Sequence, residues 1–272
     1  MKKNASTISL FIILLLGLSL LLYPSFANYW NRYMTSRSIA SYTEQLAQMD
    51  ADKYAEMWSE ATAYNADLLN RRSEYILTDA QMEQYNSILN IGGSGIMGYI
   101  EIPSIDVSLP LYHGTGDTVL DIAVGHLEWS SLPVGGDSTH CVVSGHRGLP
   151  SARLFTDLDQ LQEGELFMFH ILDRTLTYRV DQIRIVEPEE PSELVIQEGK
   201  DLATLVTCTP YGVNSHRLLV RGHRVDNLEE VQAVRVSADA LLIDKLVVVP
   251  FVLIPILLGM LVVLLVTTRK KS

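Results

Sequence analysis

The hydrophobic pattern divides the chain into two apolar runs near its ends and a long mixed region between them. The first run extends from Ile8 to Tyr23 and the second from Leu246 to Val266. Because a helix rises about 1.5 Å per residue, the second run is long enough to cross a hydrocarbon core about 30 Å thick. The pattern predicts an N-terminal membrane segment at residues 1–30 and a C-terminal transmembrane helix at residues 246–267.

Basic residues flank the outer end of both apolar runs, namely Lys2, Lys3, Arg269, Lys270 and Lys271. The positive-inside rule therefore predicts that both termini, including a basic tail at residues 268–272, lie in the cytoplasm. The first run has a second interpretation, because it is short for a full span and residues 25–27, Ser-Phe-Ala, resemble a signal-peptidase site. Under both interpretations the middle of the chain lies on the extracellular face of the cell membrane.

The stretch from Asn31 to Ile91 contains no glycine or proline and repeats its apolar residues at helical spacing. These residues are Ile39, Tyr42, Leu46, Met49, Tyr54, Met57, Ala61, Tyr64 and Leu68. Spacings of three and four residues are typical of amphipathic helices. We predict one or two extracellular helices at residues 31–91, which form either a stalk or a layer packed on the domain that follows.

The pattern changes at the segment Gly92-Gly93-Ser94-Gly95, after which short β-branched runs alternate with turn residues. Seven runs are predicted as strands: Met97–Ile102, Ser108–Tyr112, Cys141–Ser144, Glu165–His170, Thr175–Val186, Leu202–Cys208 and Arg217–Gly222. Seven short strands in one region, residues 92–228, predict a mainly β fold of barrel or sandwich type. A juxtamembrane segment at residues 229–245 follows.

One helix is predicted to interrupt the strands. Ser151 is a suitable capping residue, and the residues after it place three leucines on one helical face: Leu154, Leu158 and Leu161.

The net charge and the number of cysteines limit the partners and the chemistry expected of the chain. The formal net charge is −11, and several basic residues lie at the termini, so the region between the apolar runs is acidic. An acidic surface argues against nucleic acid or anionic surfaces as the main partner. The chain has two cysteines, Cys141 and Cys208, which are too few for a disulfide framework. A free reactive thiol is therefore an option.

Cys208 ends a predicted strand directly before a turn that contains Pro210. A catalytic cysteine also needs a proton carrier and a donor for the oxyanion that forms when the sulfur attacks a carbonyl. His146 follows the apolar run "CVVSG", and Arg217 opens the strand after the turn, so strand ends at one rim could bring all three together. The residues alone leave other candidates open, namely His140, His216, His223, Arg221 and Arg224, and a lone cysteine is often simply buried.

A metal or cofactor is not expected. His140, Cys141 and His146 are close in sequence, but His140 and Cys141 point to opposite sides of a strand and neither has a standard zinc spacing to His146. The sequence contains no glycine-rich phosphate loop and no paired-carboxylate arrangement.

From about Gly95 to Val225 the chain resembles the sortases, and specifically the class C, pilus-assembling sortases of Gram-positive bacteria. The resemblance rests on the ordered motifs "GYIEIPSIDVSLPLYHGT", "GHLEWSSLPVGGDSTH", "SGHRGLPSARLFTDLDQL" and "TLVTCTPYGVNSHRLLVRGHR". It implies a closed sortase-type β-barrel with short helices. It also implies that Cys208 is the nucleophile, that His146 and Arg217 complete the catalytic set, and that Thr207 is a lesser candidate in the same substrate pocket.

The implied reaction is that of a cysteine transpeptidase without a cofactor. Cys208 would cleave a Leu-Pro-x-Thr-Gly-like (LPxTG) sorting signal between Thr and Gly, hold the pilin as a thioacyl-enzyme, and pass it to a lysine amine of another pilin. Two alternatives remain: a housekeeping-type sortase that anchors surface proteins to cell-wall peptide, and a non-catalytic, membrane-tethered barrel that binds a surface protein.

The sequence departs from the family pattern in two places. Class C sortases commonly carry a lid with an Asp-Pro-aromatic motif over the cysteine, but the stretch from Asn70 to Tyr85 has no proline. Only Tyr75 suggests itself as a cover, and no lid residue is assigned. Cys141 stands where the family favours a small residue, and its place on an apolar strand predicts a buried structural thiol.

Overall fold

The computed structural model describes residues 2–71, 76–188 and 190–227. The predicted juxtamembrane segment, C-terminal transmembrane helix and basic tail lie outside the described residues, as does Tyr75. Asn31–Asn227 form one compact unit, and residues up to Trp30 belong to a second unit.

Helix α1 extends from Lys2 to Ala47 and contains the first apolar run. Its stretch Phe11–Ala47 is long and apolar enough to cross a membrane, with a mean hydropathy of 1.9 over an 18-residue window. A membrane anchor and a signal sequence near an N-terminus share this length and composition. Both interpretations of the first run therefore stand.

Two further helices follow, and both begin at a side-chain cap. Helix α2 extends over Ala51–Asn70, and its N-cap Asp50 accepts a hydrogen bond from the Lys53 N–H. Helix α3 extends over Asp79–Ser87 and starts with a capping box between Thr78 and Gln81. The buried apolar residues of this region are part of the same core as the barrel: Tyr42, Met57, Trp58, Ala61, Tyr64 and Tyr85. The predicted helices are therefore packed on the domain and do not form a stalk.

Eight strands close into a barrel. They are β1 (Ile96–Ile102), β2 (Val107–His113), β3 (Val124–His126), β4 (Thr139–Ser144), β5 (Leu166–Ile171), β6 (Arg174–Val186), β7 (Asp201–Thr209) and β8 (His216–Val225). Their order around the barrel is β1-β2-β3-β4-β7-β8-β6-β5. Among the described strands, closure leaves no open edge of the sheet. The seven predicted strands are confirmed, and β3 is the additional one.

The short helical elements of the barrel lie in its connections. The α-helical turn α4 extends over Asp117–Leu120, and 3-10 turns extend over Ile91–Gly93, Pro103–Ile105, Leu158–Gln160 and Pro191–Leu194.

The prediction of a helix after Ser151 is wrong. This segment forms turns, with a single 3-10 turn at Leu158–Gln160. The N–H of Phe155 donates to the carbonyl of His146 at 3.1 Å and not to Ser151, and Leu154 has a positive φ of 35°. Both features interrupt an α-helix. Leu154, Leu158 and Leu161 are nevertheless buried, so the apolar spacing indicated burial correctly and helix incorrectly.

Buried polar side chains join the N-terminal helices to the barrel. The Tyr42 hydroxyl on α1 donates to the carbonyl of Met97 at 3.0 Å and accepts from the N–H of Leu172 at 2.8 Å. On α2, the Trp58 indole N–H donates to Asp173 at 2.7 Å. Because these bonds satisfy buried backbone and indole groups, they fix the helices in a specific place against β1 and the β5–β6 hairpin.

Candidate active site

Cys208 and Arg217 lie opposite one another on neighbouring antiparallel strands, β7 and β8. Paired residues in a sheet project to the same face, and that face changes with every residue. Two residues away from this pair, Val206 and Leu219 form an apolar cluster with Val142 outside the barrel. Cys208 and Arg217 therefore project from the outer face, at the end of their strands.

Strand β4 brings His146 to the same end of the barrel. Ser144 is the register partner of Val206 in the parallel β4–β7 pair. The N–H of Gly145 then donates to the carbonyl of Val206 at 3.0 Å, which extends the pairing by one residue beyond β4. His146 comes directly after this bond, and both its side chain and that of Cys208 are half-buried. The structure thus brings the three predicted residues to one rim of the barrel.

Thr207 lies beside Cys208 but projects in the opposite direction. Its side chain is buried, and its hydroxyl donates to the carbonyl of Gly145 at 2.7 Å. The hydroxyl therefore helps to hold the segment that carries His146. A role of Thr207 toward substrate stays a prediction.

The other arginines considered from the sequence are engaged elsewhere. Arg221 donates to Asp181 at 3.0 Å, and Arg224 lies over the Tyr178 ring, 5.7 Å from its centroid. The Arg217 guanidinium donates to the carbonyls of His216 and Asn214, at 3.2 and 3.4 Å. These bonds hold the Arg217 guanidinium next to the turn between β7 and β8, which follows Cys208.

The other histidines considered from the sequence are engaged by other partners. His216 is paired with Glu187 at 3.3 Å, and His223 with Asp181 at 3.4 Å. His140 is fully buried between Thr204, at 2.7 Å from its Nε2, and the carbonyl of Val195, at 2.9 Å from its Nδ1.

A cavity of 520 Å³ lies next to Arg217 on the outer face of the barrel. Its floor is formed by side chains of β4, β7 and β8. Its walls come from the connections before and after β3, and from the end of β6 with the connection that follows it. The lining residues are Thr115, Leu120, Leu127, Trp129, Ser144, Val186, Glu187, Pro188, Glu190, Pro191, Leu194, Val206, Arg217 and Leu219. The lining is mainly apolar with few polar groups, as in small-ligand and peptide pockets.

The two cysteines differ in environment. Cys141 is a free, buried thiol in the barrel core, where burial raises its pKa well above the usual value. Cys208 is a free, half-buried thiol on the outer face. Because the thiolate is the reactive form, Cys208 is the thiol available for chemistry and Cys141 is inert.

Burial lowers the pKa of His140 to about 4, so this side chain is neutral in the folded protein near pH 7. Its pKa in the unfolded chain is near 6.5, and between these values the unfolded chain binds more protons. We therefore expect His140 to reduce stability as the pH falls from about 6.5 to about 4, by up to about 3 kcal/mol. Arg221 and Asp181 are the charged groups that act on it.

Urea unfolding of wild type and of His140→Gln across this pH range measures the effect. The variant should lose less stability than wild type on acidification. Equal slopes for the two proteins would contradict the prediction. Burial also lowers the pKa of His113 and His126, so the comparison with wild type is needed to isolate His140.

Comparison with known proteins agrees with this barrel. The sortase domain family matches residues 100–225. The solved structure of sortase C1 from Streptococcus agalactiae is 52% identical, with a TM-score of 0.68, and the match covers 71% of this chain and 100% of that one. The structure of sortase C from Streptococcus pneumoniae, described in terms of pilin substrate specificity, is 44% identical with a TM-score of 0.64, covering 70% and 97%.

Among curated proteins, sortase D of Bacillus subtilis is 30% identical over 131 residues, which are 47% of this chain and 63% of that protein. The chain thus spans less than two thirds of the length of this relative. The solved sortase C domains, in contrast, are covered almost completely. The chain belongs to the sortase family, and its structural neighbours are sortase C structures.

Proposed function

We propose that this protein is a membrane-anchored cysteine transpeptidase of the class C type. The observation that carries the proposal is the pairing of Cys208 with Arg217 across β7 and β8, beside the loop that carries His146. A thiol, an imidazole and a guanidinium at one rim are the groups needed for acyl transfer through a thioester. The apolar cavity next to Arg217 offers a place for the Leu and Pro of a sorting signal.

In the proposed first step, the Cys208 sulfur attacks the Thr carbonyl of an LPxTG-like signal. The proton that Cys208 gives up is held by His146, which delivers it to the departing glycine amine as the peptide bond breaks. Arg217 stabilises the negative charge on the carbonyl oxygen, a task suited to a fixed charge with several N–H donors. The product is a thioester between Cys208 and Thr.

In the second step, an acceptor amine attacks the thioester carbonyl and His146 takes its surplus proton. The bond between sulfur and carbon breaks, and an amide joins Thr to the acceptor. We propose a pilin lysine as acceptor, because the chain resembles class C enzymes along the whole barrel and the neighbouring Streptococcus pneumoniae structure is described through pilin specificity. The second candidate is anchoring to cell-wall peptide, which uses the same residues.

Intact-mass spectrometry of the protein with an LPxTG peptide tests the first step. We expect a covalent acyl adduct on the wild-type protein, which disappears when an amine is added. Absence of an adduct on folded protein would contradict the transpeptidase assignment. Product analysis with a complete pilin then separates the acceptors: a covalent ladder of one pilin supports polymerisation, and a single wall-linked product supports anchoring.

A further inference from the structure

Residues on both sides of His146 are joined to residues on both sides of Cys208. On the N-terminal side of each, the hydroxyl of Thr207 donates to the carbonyl of Gly145 at 2.7 Å. On the C-terminal side of each, the guanidinium of Arg147 donates to the hydroxyl of Thr209 at 3.4 Å. The two segments that carry the imidazole and the thiol are therefore connected at both ends.

Arg147 makes two further contacts that keep its guanidinium in place. It forms an ion pair with Asp159, and it lies over the Tyr211 ring, 5.9 Å from the centroid. Although arginine is usually exposed, the side chain of Arg147 is only 9% exposed. Its Nε is buried and has no hydrogen-bond partner among the residues that the structure describes. Because burying a charged side chain with one unsatisfied N–H costs stability, overall stability does not account for this arrangement.

Tyr211 lies against the loop of His146 through a second contact. A Cβ atom on Gly148 would lie 3.1 Å from the Tyr211 ring, so the glycine leaves room for the ring against the backbone. Gly148 also has a positive φ of 79°, which a side chain would disfavour. The turn that follows Cys208 therefore packs on the loop that follows His146, with Arg147 between Tyr211 and Asp159.

We propose that Arg147 is a positioning residue, which holds the loop of His146 against the turn that follows Cys208. This inference rests on the proposed function, because the spacing of imidazole and sulfur matters only if both take part in acyl transfer. Misplacement of reacting groups by about 1 Å can lower a rate by roughly 100-fold. Arg147 therefore acts on the rate of the chemical steps and not on substrate binding, since it does not line the cavity next to Arg217.

Arg147→Met tests the inference, because methionine keeps the apolar stem and removes the charge and all N–H donors. We expect kcat for peptide transfer to fall by roughly 10- to 100-fold, with KM for the peptide changed little. The pH–rate profile for alkylation of Cys208 by iodoacetamide should also move, because the imidazole is no longer held near the sulfur. Arg147→Lys should recover part of kcat through the ion pair with Asp159.

Arg153→Met is the matched control. Arg153 lies in the same connection and pairs with Asp157, but its side chain is 52% exposed. This variant should keep the wild-type kcat and the wild-type pH profile of alkylation. A wild-type kcat and an unmoved pH profile in Arg147→Met would overturn the inference.

If Arg147→Met does not fold by circular dichroism, Asp159→Asn replaces it. Asp159 is partly exposed, so its replacement removes one anchor of the guanidinium with little risk to folding. We expect a several-fold lower kcat and a shifted pH profile, and a wild-type result for both would again overturn the inference. If wild type itself forms no acyl adduct, the proposed function fails, but the alkylation profile still decides whether Arg147 holds His146 beside Cys208.

Discussion

Replacement of Cys208 by alanine is expected to abolish both the acyl adduct and transfer to an amine, while the barrel stays folded. The sulfur projects from the outer face at the end of β7, so its removal leaves no cavity in the core. The other cysteine, Cys141, is buried in the barrel core, so Cys208 is the thiol that can form the thioester. Loss of a nucleophile lowers turnover by roughly 10⁴-fold or more. Intact-mass spectrometry and amine-transfer assays with an LPxTG peptide measure both effects.

Cys141→Ser is the matched control, since it removes the second thiol and leaves Cys208. It should form the adduct and should take up one alkyl group from iodoacetamide, as should wild type, because Cys141 is buried in the core. An adduct on Cys208→Ala would place the nucleophile elsewhere. If wild type forms no adduct, and wild type and Cys208→Ala bind the same surface protein equally, the chain is a non-catalytic binding barrel.

The strands could be predicted well from the sequence, because short runs rich in β-branched residues are typical of the strands that form the wall of a barrel. Strand β3 was missed because Val124–His126 is three residues long and contains a glycine, which is too short for a period to be seen. The segment after Ser151 was predicted as a helix because three leucines at spacings of four and three are also compatible with buried turns. The contact that decides between them, Phe155 N–H to the His146 carbonyl, joins positions outside any helical repeat.

The positions of the candidate site residues could be predicted from the sequence only where they follow from local pattern. The strand-end positions of Cys208 and Arg217 follow from local pattern, and their pairing follows from the short turn between β7 and β8. His146 was selected by resemblance, since composition did not separate it from the other histidines. Arg147 was not singled out, because its partners Thr209, Tyr211 and Asp159 are distant in sequence. The cavity was missed too, because its walls are connections without a repeating pattern.

Replacement of Arg217 by lysine is expected to remove most of the turnover and to leave the fold intact. Lysine keeps the positive charge but replaces the planar set of five N–H donors with a compact ammonium group. Loss of one oxyanion donor costs about 100- to 1,000-fold in kcat in acyl-transfer enzymes, so we expect a loss near this range. Steady-state transfer kinetics with an LPxTG peptide measure it.

Arg221→Lys is the control that separates position from residue type. Arg221 lies on the same face of β8, four residues further along, but it donates to Asp181 and does not line the cavity. Its replacement should leave kcat near the wild-type value. The acyl adduct gives a second readout, because an oxyanion donor acts in both steps: Arg217→Lys should form the adduct slowly and also release it slowly to an amine. A near-normal kcat in Arg217→Lys, together with a large loss in Arg221→Lys, would contradict this assignment. The oxyanion donor would then be Arg221 and not Arg217, the residue paired with Cys208.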